Sequence, residues 1–173
     1  YGGTLGTINP TTGAFTTIGT TGDFVGMSYN WQTSIMYGLT YDGVLQTVNL
    51  LTGATTTVGN AGASGFIAME IDNDGVAYAV RIDTDQLGTI NLATGAWTAI
   101  GPVGFDASYA QDMSCDHSTN ELYWAAYDVA VGGKLVILNK ANGSTVLVGS
   151  FPGGAEIAGF AIPLTPGGAS GWL

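Results

Sequence analysis

Leu87-Gly88-Thr89-Ile90-Asn91-Leu92-Ala93-Thr94-Gly95-Ala96-Trp97-Thr98-Ala99-Ile100-Gly101 reads as a strand, a tight turn and a second strand. Leu87, Thr89 and Asn91 alternate with Gly88 and Ile90, the two-residue period of a pleated strand. The turn falls at Ala93-Thr94-Gly95, where glycine supplies the positive φ that a short hairpin needs. The phrase recurs as LGTINPTTGAFTTIG from Leu5, LQTVNLLTGATTTVG from Leu45 and LVILNKANGSTVLVG from Leu135, with successive starts 40, 42 and 48 residues apart. Gly13, Gly53, Gly95 and Gly143 hold the turn in all four copies, each preceded by an asparagine (Asn9, Asn49, Asn91, Asn139) that can hydrogen-bond its own turn backbone. These repeated residues therefore have a structural explanation and carry no functional signal.

A second pattern lies between the hairpins. Gly26-Met27-Ser28-Tyr29-Asn30, Ala68-Met69-Glu70-Ile71-Asp72, Asp112-Met113-Ser114-Cys115-Asp116 and Gly159-Phe160-Ala161-Ile162-Pro163 align without gaps. One parity carries bulk and the other mostly small groups, which suits an innermost strand where sheets crowd round an axis. After the first three comes a polar turn and an aromatic-rich strand: Met36-Tyr37-Gly38-Leu39, Val76-Ala77-Tyr78-Ala79-Val80 and Leu122-Tyr123-Trp124-Ala125. The unit is four antiparallel strands in about 40–45 residues, the period of a β-propeller blade. The fold expected is all-β, a propeller of four blades, each of four antiparallel strands.

The chain starts inside a blade and finishes on an extra inner strand, Ile157 to Pro163. That strand, joined to the N-terminal hairpin, would complete a shared blade, and pairing the N- and C-terminal segments would remove the exposed edges. The reading is a closed ring over residues 1–163, followed by a Gly- and Pro-rich linker over 164–173 leading toward a further module. The rivals are a piece of a larger ring and an open stack of sheets.

Composition narrows the function. The 173 residues carry 13 acidic and 3 basic side chains, a net charge of −10, so Arg81, Lys134 and Lys140 cannot form the basic stripe that nucleic acid requires. No stretch reaches the roughly 20 apolar residues of a membrane-spanning helix, and 28 glycines with 22 threonines disfavour a helical bundle. Cys115 is the sole cysteine and cannot form an internal disulfide.

The phrases Leu87–Gly101 and Met36-Tyr37-Gly38-Leu39-Thr40-Tyr41-Asp42-Gly43 resemble propeller-type repeats of large secreted bacterial proteins, many of them multidomain surface proteins or adhesins. The resemblance covers roughly residues 1–163 and implies a propeller and an extracellular or cell-surface location. It carries no catalytic residue set. Gly171-Trp172-Leu173 resembles the entry to a following β-sandwich module in such proteins.

Candidate sites are few. His117, the only histidine, falls in the turn Cys115-Asp116-His117-Ser118-Thr119-Asn120-Glu121 and reads as a solvent-exposed turn residue, while Cys115 reads as a buried small hydrophobe. Asp72-Asn73-Asp74-Gly75 lacks the remaining ligands of a calcium loop and reads as an Asx turn. Asp83 and Asp85 read as solvated loop carboxylates near Arg81.

Glu70 and Asp112 stand at small-face positions of inner strands, near the axis, where a charged carboxylate needs a partner. Either the channel is wet and solvates them, or it holds a hard cation, Ca²⁺ or Na⁺, with backbone carbonyls completing the site. Trp97 and Phe15 share one register on outer strands and Trp31 lies in a turn. If these three face solvent they form a sparse aromatic surface for a sugar or peptide; otherwise they are packing or inter-module contacts.

Two functions follow. One is a non-catalytic binding, adhesion or spacer module of a secreted surface protein, with a glycan or protein ligand and other modules of the same chain as partners, and neither nucleic acid nor membrane insertion. The other is a propeller hydrolase or lactonase-like enzyme with a metal at the channel mouth, drawing on Glu70, Asp112, Asp23 and Glu156.

Overall fold

The computed structural model describes residues 3–163; the expected linker over 164–173 lies outside them. The N-terminal hairpin consists of β1 (Gly3–Ile8) and β2 (Phe15–Thr21). The first full blade is β3 (Gly26–Asn30), β4 (Ile35–Leu39), β5 (Val44–Val48) and β6 (Thr55–Asn60). The second is β7 (Phe66–Ile71), β8 (Ala77–Arg81), β9 (Gln86–Ile90) and β10 (Trp97–Pro102). The third is β11 (Asp112–Asp116), β12 (Glu121–Asp128), β13 (Gly132–Leu138) and β14 (Thr145–Ser150). Every pairing between consecutive strands of a blade is antiparallel, and each full blade keeps its strands in sequence order.

The turn chemistry behaves as the repeat demands. Asn9, Asn49, Asn91 and Asn139 each accept, through Oδ1, the amide two residues on, at 2.9 Å in every copy. The turn glycines Gly13, Gly53, Gly95 and Gly143 have φ between 71° and 81°.

All four outer hairpins also share a bulge. Leu5 pairs with Gly19 and Gly6 with Thr17, leaving Ile18 as the extra residue. The same slip isolates Val58, Ile100 and Val148. A bulged residue is turned out of the ladder, and in the first and second blades it enters the space between blades. Val58 packs on the core shared by the first and second blades, with Leu39, Leu45, Phe66 and Met69. Ile100 packs on the core shared by the second and third, with Val80, Trp124 and Val136.

The glycine after each bulge lets the next hairpin approach. A Cβ on Gly19 would lie 2.1 Å from Thr52 O, one on Gly59 2.0 Å from Thr94 O, and one on Gly101 2.2 Å from Asn142 O. Ion pairs reinforce the third blade. Lys134 Nζ lies 2.6 Å from Asp128 Oδ2 and 3.6 Å from the centre of the Phe105 ring, which stacks on Trp124. Burial pushes the Asp128 carboxyl up, but Lys134 and the Ala130 amide hold it below its ordinary value. Lys140 Nζ reaches back 2.6 Å to Asp72 Oδ2 on the preceding blade.

The expected ring is not closed among the described residues. Residues 155–163 do run where the inner strand of a further blade belongs, but form no ladder there. Phe160 N–H donates to Asp112 Oδ2 at 2.8 Å and Ile162 N–H to Ser114 Oγ at 3.0 Å, just as Ile71 N–H donates to Ser28 Oγ at 2.9 Å. The closing contact is what fails. A Cβ on Gly149 or on Gly13 would meet no described atom within 4 Å, although Gly149 corresponds to Gly19, Gly59 and Gly101, and Gly13 to the glycines of the receiving turns. Closure depends on the wedge angle summed over every junction, which local sequence pattern does not encode.

Candidate functional site

The inner strands β3, β7 and β11 place Ser28, Glu70 and Ser114 at one register, and each side chain reaches the main chain of the following inner strand. Ser28 accepts from Ile71 N–H and Ser114 from Ile162 N–H. The Glu70 carboxyl lies close enough to the Ser28 hydroxyl and the Cys115 amide for both to favour its charged form. Asp112 lies one alternate position away, accepting from Phe160 N–H and from its own neighbour Met113 N–H at 2.9 Å. The two axial carboxyls anticipated from sequence are thus brought close enough to repel one another.

Loss of water dominates the chemistry of this row. Burial pushes the Glu70 carboxyl up to about 8, the Ser28 and Cys115 hydrogen bonds oppose it, and the Asp112 and Asp72 charges add to the rise. Asp112 is also raised by burial, against the pull of the Phe160 and Met113 amides. Near neutral pH Glu70 is therefore mostly protonated, so the partner that this carboxyl requires is a proton as well as an amide. A hard cation takes six or more oxygens. Among the described residues no three His, Cys, Asp or Glu side chains group to hold a metal ion, so an ion here would draw its remaining ligands from backbone carbonyls or water.

The turns after the inner strands form a second cluster. Gln32 Nε2 donates to Asn73 O at 2.9 Å, Asn73 Nδ2 to His117 O at 2.8 Å, and Asn120 Nδ2 to Asp74 Oδ2 at 2.9 Å. His117 Nδ1 pairs with Asn73 Oδ1. His117 is half-buried rather than solvent-exposed, and burial lowers its pKa below the ordinary histidine value despite the nearby Asp116 and Asp72 charges. Asp72 closes the expected Asx turn through Oδ1, accepting from Asp74 N–H and Val76 N–H at 3.0 Å. Cys115 is 1% exposed and burial pushes its thiol up to about 11.

The three aromatic candidates separate. Trp31 is 55% exposed, with Tyr29 edge-on at 4.8 Å and His117 at 6.2 Å. Trp97 is half-buried: its ring lies across Gly88 and meets Phe66 edge-on at 5.2 Å, so it belongs to the core and not to an aromatic surface. Phe15 lies across Gly6 in the same way but is 54% exposed, because among the described residues the hairpin has no inner strand like the one that gives the second blade its Phe66. Asp23 is exposed on a loop, and the exposed Glu156 caps Ala110 N–H at 2.6 Å. Arg81 pairs with Asp83 at 2.5 Å, and Asp85 Oδ1 accepts from Ala107 N–H at 2.9 Å, so neither aspartate is merely solvated.

Sequence reading passed over the branched residue and glycine that end every outer strand, Ile18-Gly19, Val58-Gly59, Ile100-Gly101 and Val148-Gly149. Their recurrence in all four copies was the available signal.

No family model matches the chain, and no curated protein matches its sequence. Solved structures do. A protein of unknown function from Bacteroides thetaiotaomicron aligns over 78% of this chain and 35% of its own, with 15% identity and a TM-score of 0.57. A chain of the nidogen/laminin complex aligns over 79% and 52%, with 15% identity and a TM-score of 0.56. A gluconolactonase from Xanthomonas campestris aligns over 70% and 46%, with 6% identity and a TM-score of 0.53. The chain thus spans about a third to a half of these structures. They are propeller-type proteins, and the likeness shows a propeller fold.

Proposed function

We propose that this chain is a non-catalytic propeller module of a secreted bacterial cell-surface protein, serving binding, adhesion or spacing beside other modules of its parent. The observation that carries this reading is where its chemistry-bearing side chains are spent. Asp112 holds the next inner strand, Glu70 is buried beside it, His117 holds the neighbouring turn, and Cys115 is enclosed. A general acid, base or nucleophile must instead face a substrate. The net charge of −10 disfavours anionic partners and suits an extracellular setting. Trp31, flanked by Tyr29, offers the exposed ring that a sugar face or peptide stacks upon. One of the structurally similar propellers was solved in a complex with laminin.

A glycan and protein array probed with the purified chain tests this. The expected result is a reproducible hit weakened at least about tenfold by Trp31→Ala, the loss of one stacking contact of about 1–2 kcal/mol. A second reading is supported by the raised Glu70 carboxyl beside Asp112, since shifted acids gather at active sites, and by the gluconolactonase among the similar folds. In that reading Glu70 and Asp112 would hold Ca²⁺ or Na⁺, and the cation would supply the Lewis acid that polarises an ester carbonyl. Turnover in a Ca²⁺-supplemented hydrolase screen, abolished by Glu70→Gln or Asp112→Asn, would replace the module reading with this one.

A further inference from the structure

One residue past the aligned inner strands stand Trp31 in the first blade, Asn73 in the second and His117 in the third, an indole, an amide and an imidazole at one register. Asn73 commits both its main-chain and both its side-chain polar atoms to the turns beside it. Its N–H donates to Asn120 Oδ1 at 3.0 Å and its carbonyl accepts from Gln32 Nε2 at 2.9 Å. Its Nδ2 donates to His117 O at 2.8 Å, and its Oδ1 meets His117 Nδ1.

These bonds decide where the imidazole carries its proton. An amide nitrogen only donates and its oxygen only accepts. Because Nδ2 already serves the His117 carbonyl, the amide cannot turn over, and Oδ1 must take its hydrogen bond from Nδ1–H of the ring. The neutral imidazole is therefore held as the Nδ1–H tautomer, with the Nε2 lone pair left as an acceptor. Nε2 has no hydrogen-bond partner among the described residues, on a ring that is only half-buried. Burial keeps the ring neutral further into acid than an ordinary histidine, against the Asp116 and Asp72 charges. Trp31, 55% exposed, stands nearly perpendicular to it, with ring centres 6.2 Å apart.

A ligand for this pair needs an apolar face for the indole and, at its rim, a proton to offer Nε2. An anion is repelled by a chain of net charge −10. A cation finds the neighbouring carboxylates already engaged: Asp116 accepts from the Ser118 amide and hydroxyl, Asp74 from Asn120, and Asp72 pairs with Lys140. A neutral sugar ring has both features, a face of C–H groups and a rim of hydroxyls. We propose that Trp31 and His117 form a site for such a ring, the indole taking its apolar face and Nε2 accepting one hydroxyl. Asn73 is the positioning residue that presents Nε2 unprotonated. This rests on the module reading above and gives it a ligand class.

His117 is the one histidine of the 173-residue chain, so nitrogen-15 NMR reads its ring without ambiguity. Near neutral pH and before any ligand is added, the expected spectrum shows Nδ1 protonated and Nε2 not; a ring protonated at Nε2 overturns the proposal. Lactose, cellobiose, maltose and mannobiose are then titrated, with glucuronate as the anionic control and tetramethylammonium as the cationic one. At least one neutral sugar should move the Nε2 resonance saturably, and neither control should. Trp31→Ala should abolish that shift while the ring stays protonated at Nδ1. His117→Phe, read by saturation transfer to the sugar, should weaken binding by up to about tenfold, the loss of one hydrogen bond. It should also remove the decline of affinity in acid that the native chain shows as Nε2 gains a proton. Asn73→Ala should let both tautomers appear, and a spectrum it leaves unchanged overturns the role given to Asn73. No shift with any neutral sugar, a shift with either control, or a shift indifferent to Trp31→Ala overturns the site. A Trp31-dependent protein ligand on the array with no sugar bound overturns it while the module reading stands, whereas turnover in the hydrolase screen overturns that reading itself.

Discussion

Glu70 is a carboxylic acid placed where two neighbouring strands meet, with Ser28 on one side and Cys115 N–H on the other. Its folded value of about 8 stands above the ordinary 4.5, so between those limits unfolding releases a proton. Its contribution to stability is complete below pH 4.5, declines as pH rises, and is gone above pH 8. In metal-free buffer the melting temperature of the native protein should therefore fall between pH 5 and 8 by about 5 °C more than that of Glu70→Gln, which stays neutral throughout. Parallel curves from calorimetry would show that Glu70 ionises freely in the folded state. The small-face position of this residue was legible in the sequence because a strand alternates strictly. Its proton was not, because that depends on the Asp112 and Asp72 charges and on the cover of the adjacent strands.

At the scale of the strand, the bulge and its following glycine decide how closely two blades approach. Gly101→Val places its Cβ against Asn142 O, a contact of 2.2 Å that backbone on both sides must absorb. It should destabilise the fold by about 3 kcal/mol or more, in the range of overpacked cores. Gly149→Val, at the same register with no described neighbour, should change stability by less than about 0.5 kcal/mol. Urea titrations of the two variants check this, and equal losses would show that the glycines serve strand conformation rather than approach. The hairpins themselves were readable from Asn9, Asn49, Asn91 and Asn139 and their glycines. The bulges were not, since an extra residue in one strand leaves the repeat length unchanged and shows only once the ladder is traced. The choice between surface and packing for Trp97 was not legible for a related reason: alternation gives its parity, but only the tertiary structure supplies Phe66 to cover it.

Across the whole molecule, cohesion passes from each unit to its neighbours, as in linear repeat arrays. The second blade shares a core with both its neighbours, and β7 is almost wholly enclosed. Among the described residues the N-terminal hairpin has two strands and packs on the first blade alone. Amide hydrogen exchange should accordingly release β1–β2 at least about 100-fold faster than β7 and β8, a spread ordinary between fraying ends and cores. Uniform protection would mean that the hairpin is held from both sides.

The chain of bonds through Gln32, Asn73, His117 and Asn120 sets the successive turns shoulder to shoulder on one rim, all facing the same way. Whatever lands on that rim meets the Trp31 turn together with its two bonded neighbours, so one bound surface can engage several turns at once.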